Sequence, residues 1–397
     1  MSLQSTPRAN RLHIGIFGKR NSGKSSLLNA LTGHNYAVVS DVAGTTTDPV
    51  YKAMELHGVG PVVWIDTAGF DDEGALGELR IQKSEDAMDR TDIALLLFTD
   101  GDAIEQSWLQ RLKAKKIPII PIISKTDLKP ASATSSLSAQ IQQLCGEAPL
   151  LVSASTGQGM REVRERLVRL LPEDYQADSI VGHLVRPGDT VLLVMPQDIQ
   201  APKGRLILPQ VQTTRDLLDH KCVIISCTTE TMEQALHALA KPPKLIITDS
   251  QAFAYVYERT PKESQLTSFS VLFARYKGDI DQFIRGAAAI DRLTPSSRVL
   301  IAEACTHAPL TEDIGRVKIP ALLRKKVGEG LTIEFVRGSD FPADLDQYDL
   351  IIHCGACMFN RRYVLDRLEK AQAAGTPMCN YGIVIAHLNH ILDKIVY

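Results

Sequence analysis

The sequence lacks the features that mark membrane, secreted and strongly charged proteins. No apolar run approaches the roughly 20 residues that span a bilayer, and the stretch Met1 to Asn10 has no apolar region of the kind found in secretory leaders. Charge of one sign is not in excess either: 44 lysines and arginines stand against 46 aspartates and glutamates. Such a chain has no global attraction for nucleic acid or an anionic membrane. We expect a cytoplasmic protein with neither as a partner.

Cysteine is scarce, with seven in 397 residues, and the number is odd. In a cytoplasmic chain of this length, reduced thiols or metal ligands are expected rather than a disulfide framework. Four of the seven lie in or beside predicted helices and strands and are expected to be small buried hydrophobes: Cys145, Cys222, Cys227 and Cys379. The other three belong to two short motifs near the C-terminus.

The chain is too long for a single hydrophobic core. Alternating strand and helix patterns predict α/β structure throughout, with four parts: a tail (1–10), a domain with a mainly parallel sheet (11–172), a middle domain (173–265) and a C-terminal domain (266–397). The middle part has apolar strands but no catalytic constellation, so we expect it to serve association, as in a homodimer. Residues 268–275 are predicted to form the first strand of the C-terminal domain.

A phosphate-binding loop is predicted at Gly18-Lys19-Arg20-Asn21-Ser22-Gly23-Lys24-Ser25, between a predicted strand and a predicted helix. Glycines let backbone amides surround phosphate oxygens at a helix N-terminus. Lys24 supplies a positive charge to the β- and γ-phosphates, and Ser25 supplies a hydroxyl to Mg²⁺. The residues expected to contact the nucleotide here are Gly18, Asn21, Ser22, Gly23, Lys24, Ser25 and Ser26.

Two further segments offer ligands to the magnesium ion and the γ-phosphate. The polar loop that follows the first helix contains Thr45 and Thr46, of which Thr46 is the favoured Mg²⁺ ligand. The predicted strand 62–65 then ends in Asp66-Thr67-Ala68-Gly69. Asp66 can hold Mg²⁺ through water, and the Gly69 amide can sense the γ-phosphate. Lys24, Thr46 and Asp66 are therefore expected to act in hydrolysis.

The nucleotide base is predicted from Ser124-Lys125-Thr126-Asp127, which follows another predicted strand. Asp127 can accept hydrogen bonds from N1–H and the exocyclic amine of guanine, which adenine cannot supply, and the stem of Lys125 can cover the ring. After the next strand, the backbone of Ser153 and Ala154 can meet guanine O6. GTP is the expected nucleotide.

The C-terminal domain carries Cys305-Thr306-His307 after one predicted strand and His353-Cys354-Gly355-Ala356-Cys357 after another. The ends of neighbouring parallel strands can converge on one ligand site. Three thiolates and one imidazole suit tetrahedral Zn²⁺. Three thiolates also suit an iron–sulfur cluster in which one iron keeps an exchangeable ligand. These residues by themselves do not separate zinc from iron.

The N-terminal motifs resemble those of the translation-factor-related GTPases, in the branch that includes the tRNA-modification GTPase TrmE and Era. Potassium-activated members of that branch carry an asparagine at the position of Asn21. The resemblance therefore implies that Asn21 binds K⁺ and joins the catalytic residues, and that hydrolysis is slow and potassium-stimulated. Phe70 stands where Ras-like proteins have a water-orienting glutamine, and Ser124 stands where the branch usually has Asn or Thr.

Taken in order, the GTPase motifs, the middle segment and the two cysteine motifs resemble the [FeFe]-hydrogenase maturation GTPases, the HydF family, over the whole chain. The resemblance implies a [4Fe-4S] cluster on Cys305, Cys354 and Cys357, with His307 and His353 as candidates for the fourth ligand or a supporting position. It also implies a dimeric scaffold that receives a diiron precursor made with two radical-SAM maturases and transfers it to apo-hydrogenase. The alternative is an Era- or TrmE-like GTPase whose zinc-stabilised domain acts on RNA or ribosomes. A basic, aromatic-interleaved strand, which would favour that alternative, does not occur in the sequence.

Overall fold

The computed structural model describes residues 11–32, 49–56, 59–69, 75–171, 179–196, 206–304, 314–338, 340–356 and 359–397. The chain divides into two compact units, Met1–Gln176 and Ala177–Tyr397. Among the described residues, every helix is too short or too polar to cross a membrane.

Among the described residues, the first unit contains six strands: β1 (Leu12–Gly18), β2 (Val50–Leu56), β3 (Gly60–Asp66), β4 (Ile93–Phe98), β5 (Ile119–Ile123) and β6 (Leu150–Leu151). They form one sheet in the order β2-β3-β1-β4-β5-β6, and only β2 is antiparallel to its neighbour. β1 and β4 are buried along their whole length. Continuous apolar strands of this kind are expected where helices cover both faces of a parallel sheet.

Five helices cover this sheet: α1 (Lys24–Thr32), α2 (Ala75–Met88), α3 (Ala103–Ala114), α4 (Ala131–Cys145) and α5 (Met160–Arg169). One apolar cluster joins α1 and α5 to one face. A second cluster joins α2, α3 and α4 to the other. The predicted α/β fold with a mainly parallel sheet is confirmed. Because five of the strands run in the same direction, the loops at their carboxyl ends gather along one edge.

The second unit contains two four-stranded parallel sheets. The second sheet of the molecule has the strands β7 (Thr190–Val194), β8 (Val223–Cys227), β9 (Leu245–Thr248) and β10 (Gln265–Ser268), in the order β10-β9-β7-β8. Its helices are α6 (Leu208–Asp219), α7 (Met232–His237), α8 (Phe253–Arg259) and α9 (Phe269–Lys277).

The third sheet follows in the chain. Its strands are β11 (Arg298–Glu303), β12 (Thr332–Arg337), β13 (Leu350–His353) and β14 (Met378–Asn380), in the order β12-β11-β13-β14. The accompanying helices are α10 (Ile280–Ala287), α11 (Ile319–Val327), α12 (Arg361–Ala373) and α13 (Tyr381–Leu388). A single apolar cluster contains side chains of β7 and β9 together with those of β11, β13 and β14, so the two sheets share one core.

The sequence predicts a strand over residues 268–275, but residues 269–275 are helical. Ser268 ends β10 and caps α9, and its hydroxyl accepts a hydrogen bond from the Val271 amide at 3.2 Å. The helix is buried between two apolar clusters, one holding Val271 and the other Leu272. A helix with no solvated face shows no helical period in its sequence. Since β10 pairs with β9, the predicted domain boundary at residue 265 falls inside a strand of the second sheet.

Candidate nucleotide and cluster sites

The phosphate-binding loop runs from the end of β1 to the start of α1. Asn21 and Gly23 have positive φ angles of 57° and 94°, which turn the backbone inward over a short span. The buried Lys24 donates hydrogen bonds from Nζ to the carbonyl oxygens of Gly18, at 2.8 Å, and Lys19, at 2.7 Å. These carbonyl contacts place the Lys24 ammonium across the loop, where it can exchange them for phosphate oxygens.

The end of β3 brings Asp66 against the start of α1. The Ser25 hydroxyl donates to Asp66 Oδ2 at 3.0 Å. Burial raises the pKa of Asp66, while the charge of Lys24 and the Ser25 hydrogen bond oppose that shift. Within the described part of the chain, Asp66 Oδ1 is buried without a hydrogen-bond partner. A serine hydroxyl beside a carboxylate with a spare oxygen suits a hydrated Mg²⁺.

Gly69 lies against the phosphate-binding loop. A Cβ atom added there would fall 2.6 Å from the Arg20 amide nitrogen, a distance that no side chain permits. Glycine at this position lets the segment after β3 approach the loop closely. Thr45 and Thr46, the predicted partners from the preceding polar loop, lie outside the described residues.

A cavity of about 180 Å³ lies beside the phosphate-binding loop. Its lining residues are Gly23, Ser26, Leu27, Ser124, Lys125, Asp127, Leu128, Val152, Ala154 and Ser155. Sequence reasoning named most of the polar members but missed Leu27, Leu128 and Val152. Those three carry no motif signal, because any apolar side chain can cover the edge of a base.

Ser124 and Asp127 organise this cavity. The buried Ser124 hydroxyl donates to the Ser22 carbonyl oxygen at 2.5 Å. This hydrogen bond joins the segment after β5, which contains Asp127, to the phosphate-binding loop. Hydrogen bonds from Ser153 and Ser155 lower the pKa of Asp127, so its carboxylate is ionised and ready to accept hydrogen bonds. The Ser155 hydroxyl lies 2.9 Å from Asp127 Oδ2. Serine at position 124 thus makes a connection to the phosphate loop itself.

Lys19 was not among the predicted site residues, yet it anchors the phosphate loop to the segment after β4. Its Nζ lies 2.7 Å from Asp100 Oδ1 and 2.7 Å from Asp102 Oδ2. Although burial opposes the shift, these two hydrogen bonds raise the pKa of Lys19. The acidic pair directly after a buried strand was the sequence signal that could have indicated this contact.

The cysteine motifs follow β11 and β13, which are neighbours in the third sheet with Ala302 opposite His353. Cys354 therefore begins the loop at the end of β13. Its sulfur accepts hydrogen bonds from the amides of Ala304, at 3.1 Å, and Ala356, at 3.4 Å. Amide donors directed at sulfur favour the thiolate, which is the metal-binding form. This arrangement fits a cysteine ligand of an iron–sulfur cluster or a zinc ion.

Three residues of the predicted cluster site, Cys305, His307 and Cys357, lie outside the described residues. The remaining residue of the predicted site, His353, is fully buried. Its Nδ1 lies 2.7 Å from the Cys354 carbonyl oxygen, and its Nε2 lies 3.1 Å from Arg367 Nη1. Burial, together with the charge of Arg367, lowers the pKa of His353 to about 3. The neutral ring therefore donates from Nδ1 to the Cys354 carbonyl oxygen and accepts at Nε2 from Arg367. Both ring nitrogens are thus hydrogen-bonded, and the first of these bonds holds the backbone of Cys354.

Two buried cations near this loop were missed by sequence reasoning. Arg367 of α12 contacts His353 and donates to the Gly338 carbonyl and to the Tyr363 hydroxyl. Lys277 of α9 donates from Nζ to the carbonyl oxygen of Ala356, in the loop that follows β13 and contains Cys354. Neither residue belongs to a motif, and their contacts with His353, Gly338 and Ala356 join residues that are distant in sequence, so only the folded chain reveals these contacts.

Comparison with protein families divides the chain into three matched regions. Residues 13–125 match the 50S ribosome-binding GTPase model. Residues 180–278 match the hydrogen maturase F dimerization domain, and residues 281–397 match the hydrogen maturase F tetramerization domain. The chain belongs to the hydrogen maturase F (HydF) family. The two HydF domains meet between α9 and α10, and each contains one of the two C-terminal sheets.

Curated relatives match only the N-terminal part of this HydF chain. The tRNA modification GTPase MnmE of Endomicrobium trichonymphae is 34% identical over 166 residues, which is 40% of this chain and 35% of that protein. The MnmE of Prochlorococcus marinus (strain MIT 9303) is 35% identical over 161 residues, 40% of this chain and 34% of that protein. The match thus spans about a third of the length of these relatives. Among solved structures, an Era variant from Aquifex aeolicus bound to GDP.AlF4- covers 57% of this chain and 98% of its own, with 18% identity and a TM-score of 0.38.

Proposed function

We propose that this protein is a GTP-hydrolysing scaffold for [FeFe]-hydrogenase maturation, which carries a [4Fe-4S] cluster, receives a diiron precursor and transfers it to apo-hydrogenase. The observation that carries the proposal is the match of residues 180–278 and 281–397 to two HydF domains, beside a GTPase domain at residues 13–125. The Cys354 sulfur, held by two backbone amides at a strand end, adds chemical support.

In the nucleotide half, the chain binds GTP with Mg²⁺ and hydrolyses it. Lys24 leaves the carbonyls of Gly18 and Lys19 for the β- and γ-phosphates, while Ser25 and Asp66 hold the hydrated Mg²⁺ with Thr46. Lys24→Ala removes that charge, so GTP hydrolysis measured by phosphate release should be lost. The iron content of the same variant should equal that of the unaltered chain, because the cluster residues lie in the other compact unit.

The predicted potassium dependence rests on Asn21, whose positive φ of 57° places it at the turn of the phosphate loop. Hydrolysis is expected to be slow and faster in potassium than in sodium. Asn21→Ala should remove the difference between the two ions while GTP still binds. Equal rates in sodium and potassium for the unaltered chain would show that Asn21 has no such role.

In the cluster half, Cys354 acts with Cys305 and Cys357, and the neutral His353 fixes the Cys354 backbone through its carbonyl. A [4Fe-4S] cluster held by three thiolates supplies one iron with an exchangeable ligand. Anaerobic reconstitution with iron and sulfide should give about four irons per chain. Stoichiometric zinc without iron uptake would instead support a structural zinc domain.

The proposed partners are two radical-SAM maturases and apo-[FeFe]-hydrogenase, met in the cytoplasm by a self-associated scaffold. The decisive experiment is activation of apo-hydrogenase by the loaded protein, with unloaded protein as the control. The alternative, an Era- or MnmE-like GTPase acting on RNA, is favoured only by matches within the GTPase domain. RNA binding that weakens steeply with salt, without activation of apo-hydrogenase, would favour that alternative.

A further inference from the structure

The C-terminal end of α9 delivers a lysine to the loop that contains Cys354. Lys277 is 2% exposed. Its Nζ donates hydrogen bonds to the carbonyl oxygens of Ala356, at 3.0 Å, and Phe359, at 2.8 Å. These two carbonyls stand on either side of position 357 in the sequence. One ammonium therefore links the carbonyl oxygens of two residues of the loop that follows β13.

Ala356 is the centre of this arrangement. Its amide donates to the Cys354 sulfur at 3.4 Å, and its carbonyl accepts from Lys277 and from the Phe359 amide, at 3.0 Å. Its φ is 46°, in the left-handed region that an alanine seldom adopts. A backbone held in that region needs contacts that fix it. The hydrogen bond from Lys277 to the Ala356 carbonyl oxygen is such a contact, and the amide of the same residue donates to the Cys354 sulfur.

The position of Lys277 is set by α9, and not by the cluster loop. Phe273, one turn earlier in the helix, has its ring centre 6.0 Å from Nζ and covers the lysine. An ammonium group is costly to bury unless hydrogen bonds replace its water. Here carbonyl oxygens of the loop replace part of that water, so the loop and the lysine hold each other in place.

We propose that Lys277 is the positioning residue of the cluster-binding loop, which orients the Ala356 amide toward the Cys354 sulfur and places a positive charge beside an anionic iron–sulfur group. This inference rests on the proposed cluster function. Lys277 belongs to the region that matches the dimerization domain, whereas the loop belongs to the region that matches the tetramerization domain. The loop is therefore completed by a residue of the neighbouring domain.

The first test uses the full chain without iron. In Lys277→Met, hydrogen–deuterium exchange of the Cys354 and Phe359 amides should be about tenfold faster, because loss of one buried charged hydrogen-bond donor loosens the loop. The matched control is Arg275→Met on the same helix, whose side chain contacts His183. Its exchange at both amides should equal that of the unaltered chain. Equal exchange in Lys277→Met and the unaltered chain would overturn the proposal.

The second test uses the reconstituted protein and separates positioning from a general structural role. Without the Lys277 charge, the cluster should show a more negative reduction potential, altered electron paramagnetic resonance of the reduced form and faster loss of iron to a chelator. Lys277→Gln, which keeps a donor but removes the charge, covers the case in which the methionine variant does not fold. An unchanged potential and unchanged exchange in Lys277→Gln would count against the proposal.

The two proposals fail in different ways. If the unaltered chain binds no iron but Lys277→Met still loosens the loop, the cluster function fails and the positioning role of Lys277 stands. If the cluster assembles with the same potential and the same amide exchange in both Lys277 variants, the positioning role fails and the cluster function stands.

Discussion

The second and third sheets have the same topology but different chemistry at their carboxyl ends. In each, the first strand lies between the second and the third, and the fourth is outermost. Their registers also correspond: Val194 pairs with Thr248 at the end of β7 and β9, and Ala302 pairs with His353 at the end of β11 and β13. In such sheets the first and third strands flank the point where the connections change sides, which is the usual ligand site.

In the second sheet, the polar side chains at the carboxyl end of β9, beside β7, hydrogen-bond to neighbouring protein groups. The Thr248 hydroxyl donates to the Val194 carbonyl oxygen at 3.0 Å, and the following Asp249 accepts from Gln210 at 2.9 Å. The third sheet has His353 and Cys354 at the same two positions. The topology thus provides the same edge in both sheets, and the residues in the first loop positions set the side-chain chemistry that each edge offers.

The fourth strands show the same correspondence. Ser268 ends β10 and caps α9, and Asn380 ends β14 and caps α13 with a hydrogen bond from the Gly382 amide at 2.8 Å. Ser270 and Gly382 are the second residues of these two helices, and they contact each other. A Cβ added to Gly382 would lie 2.4 Å from the Ser270 hydroxyl oxygen. The two halves are thus packed through equivalent positions.

The largest expected difference is between two cysteine-to-alanine substitutions, one at the end of a strand in each sheet. Cys354→Ala should abolish cluster assembly, because one of three proposed thiolate ligands is lost. Cys227→Ala, at the end of β8, should leave iron and sulfide content unchanged, since burial raises the pKa of that thiol to about 11 and keeps it protonated. Iron and sulfide analysis of both variants measures this. Full cluster content in Cys354→Ala would remove the proposed distinction between the sheets.

A large loss of stability is expected from Arg367→Met in α12, a helix that accompanies the third sheet. The change removes the hydrogen bonds of a 2% exposed guanidinium to His353 and Tyr363 and leaves buried acceptors unpaired. The free energy of unfolding of the C-terminal unit should fall by about 3 kcal/mol. Arg215→Met in α6, a helix that accompanies the second sheet, is the control: its exposed side chain pairs with Asp219, so a change within about 0.5 kcal/mol is expected. Denaturant unfolding followed by circular dichroism compares the two.

A smaller loss is expected from Gly382→Ala, where the two halves meet. The added methyl group would overlap Ser270, so we expect destabilisation of about 1–3 kcal/mol. The double variant with Ser270→Gly removes the overlapping side-chain atoms and should recover part of that loss. Equal destabilisation with and without Ser270→Gly would mean that this side-chain contact is not the cause.

The smallest effect is a difference in thiol reactivity with pH. Because burial raises the pKa of Cys227 to about 11, its alkylation by iodoacetamide should increase only as the pH approaches 11. The sign follows from the thiolate being the nucleophile: a raised pKa reduces the thiolate fraction at any lower pH. Peptide mapping by mass spectrometry follows each thiol separately. A rise for Cys227 near pH 9, as for an ordinary thiol, would contradict the inferred environment.

Sequence patterns predicted much of the nucleotide site because each of its parts is local. Gly18 to Ser25 form a strand-loop-helix segment, Asp66 ends β3 and Asp127 lies in the segment after β5, so the parallel sheet brings them to one edge. The sequence did not indicate the hydrogen bond from Ser124 to the Ser22 carbonyl, which joins loops that are 102 residues apart. Motif spacing identifies side chains that face a ligand, but not those that hold the loops to each other.

The C-terminal unit was less predictable for a related reason. The sequence predicts a strand at residues 268–275, where the structure has the helix Phe269–Lys277, because a helix buried by apolar neighbours on both sides shows no polar face. Its true conformation matters, because the helical geometry carries Lys277 to the loop. The residues at the strand ends do not predict that the two sheets share one topology, because corresponding positions such as Thr248 and His353 carry unlike side chains.

The sequence by itself determined the α/β class, the phosphate-binding loop, the guanine-recognition motif and the two cysteine motifs, because each depends on residue types at short spacings. Tertiary structure decided what supports them. Arg367 meets His353 across 14 residues, and Lys277 meets Ala356 across 79. Such contacts arise only when buried helices pack against the sheet, since packing fixes which distant polar groups must replace each other's water.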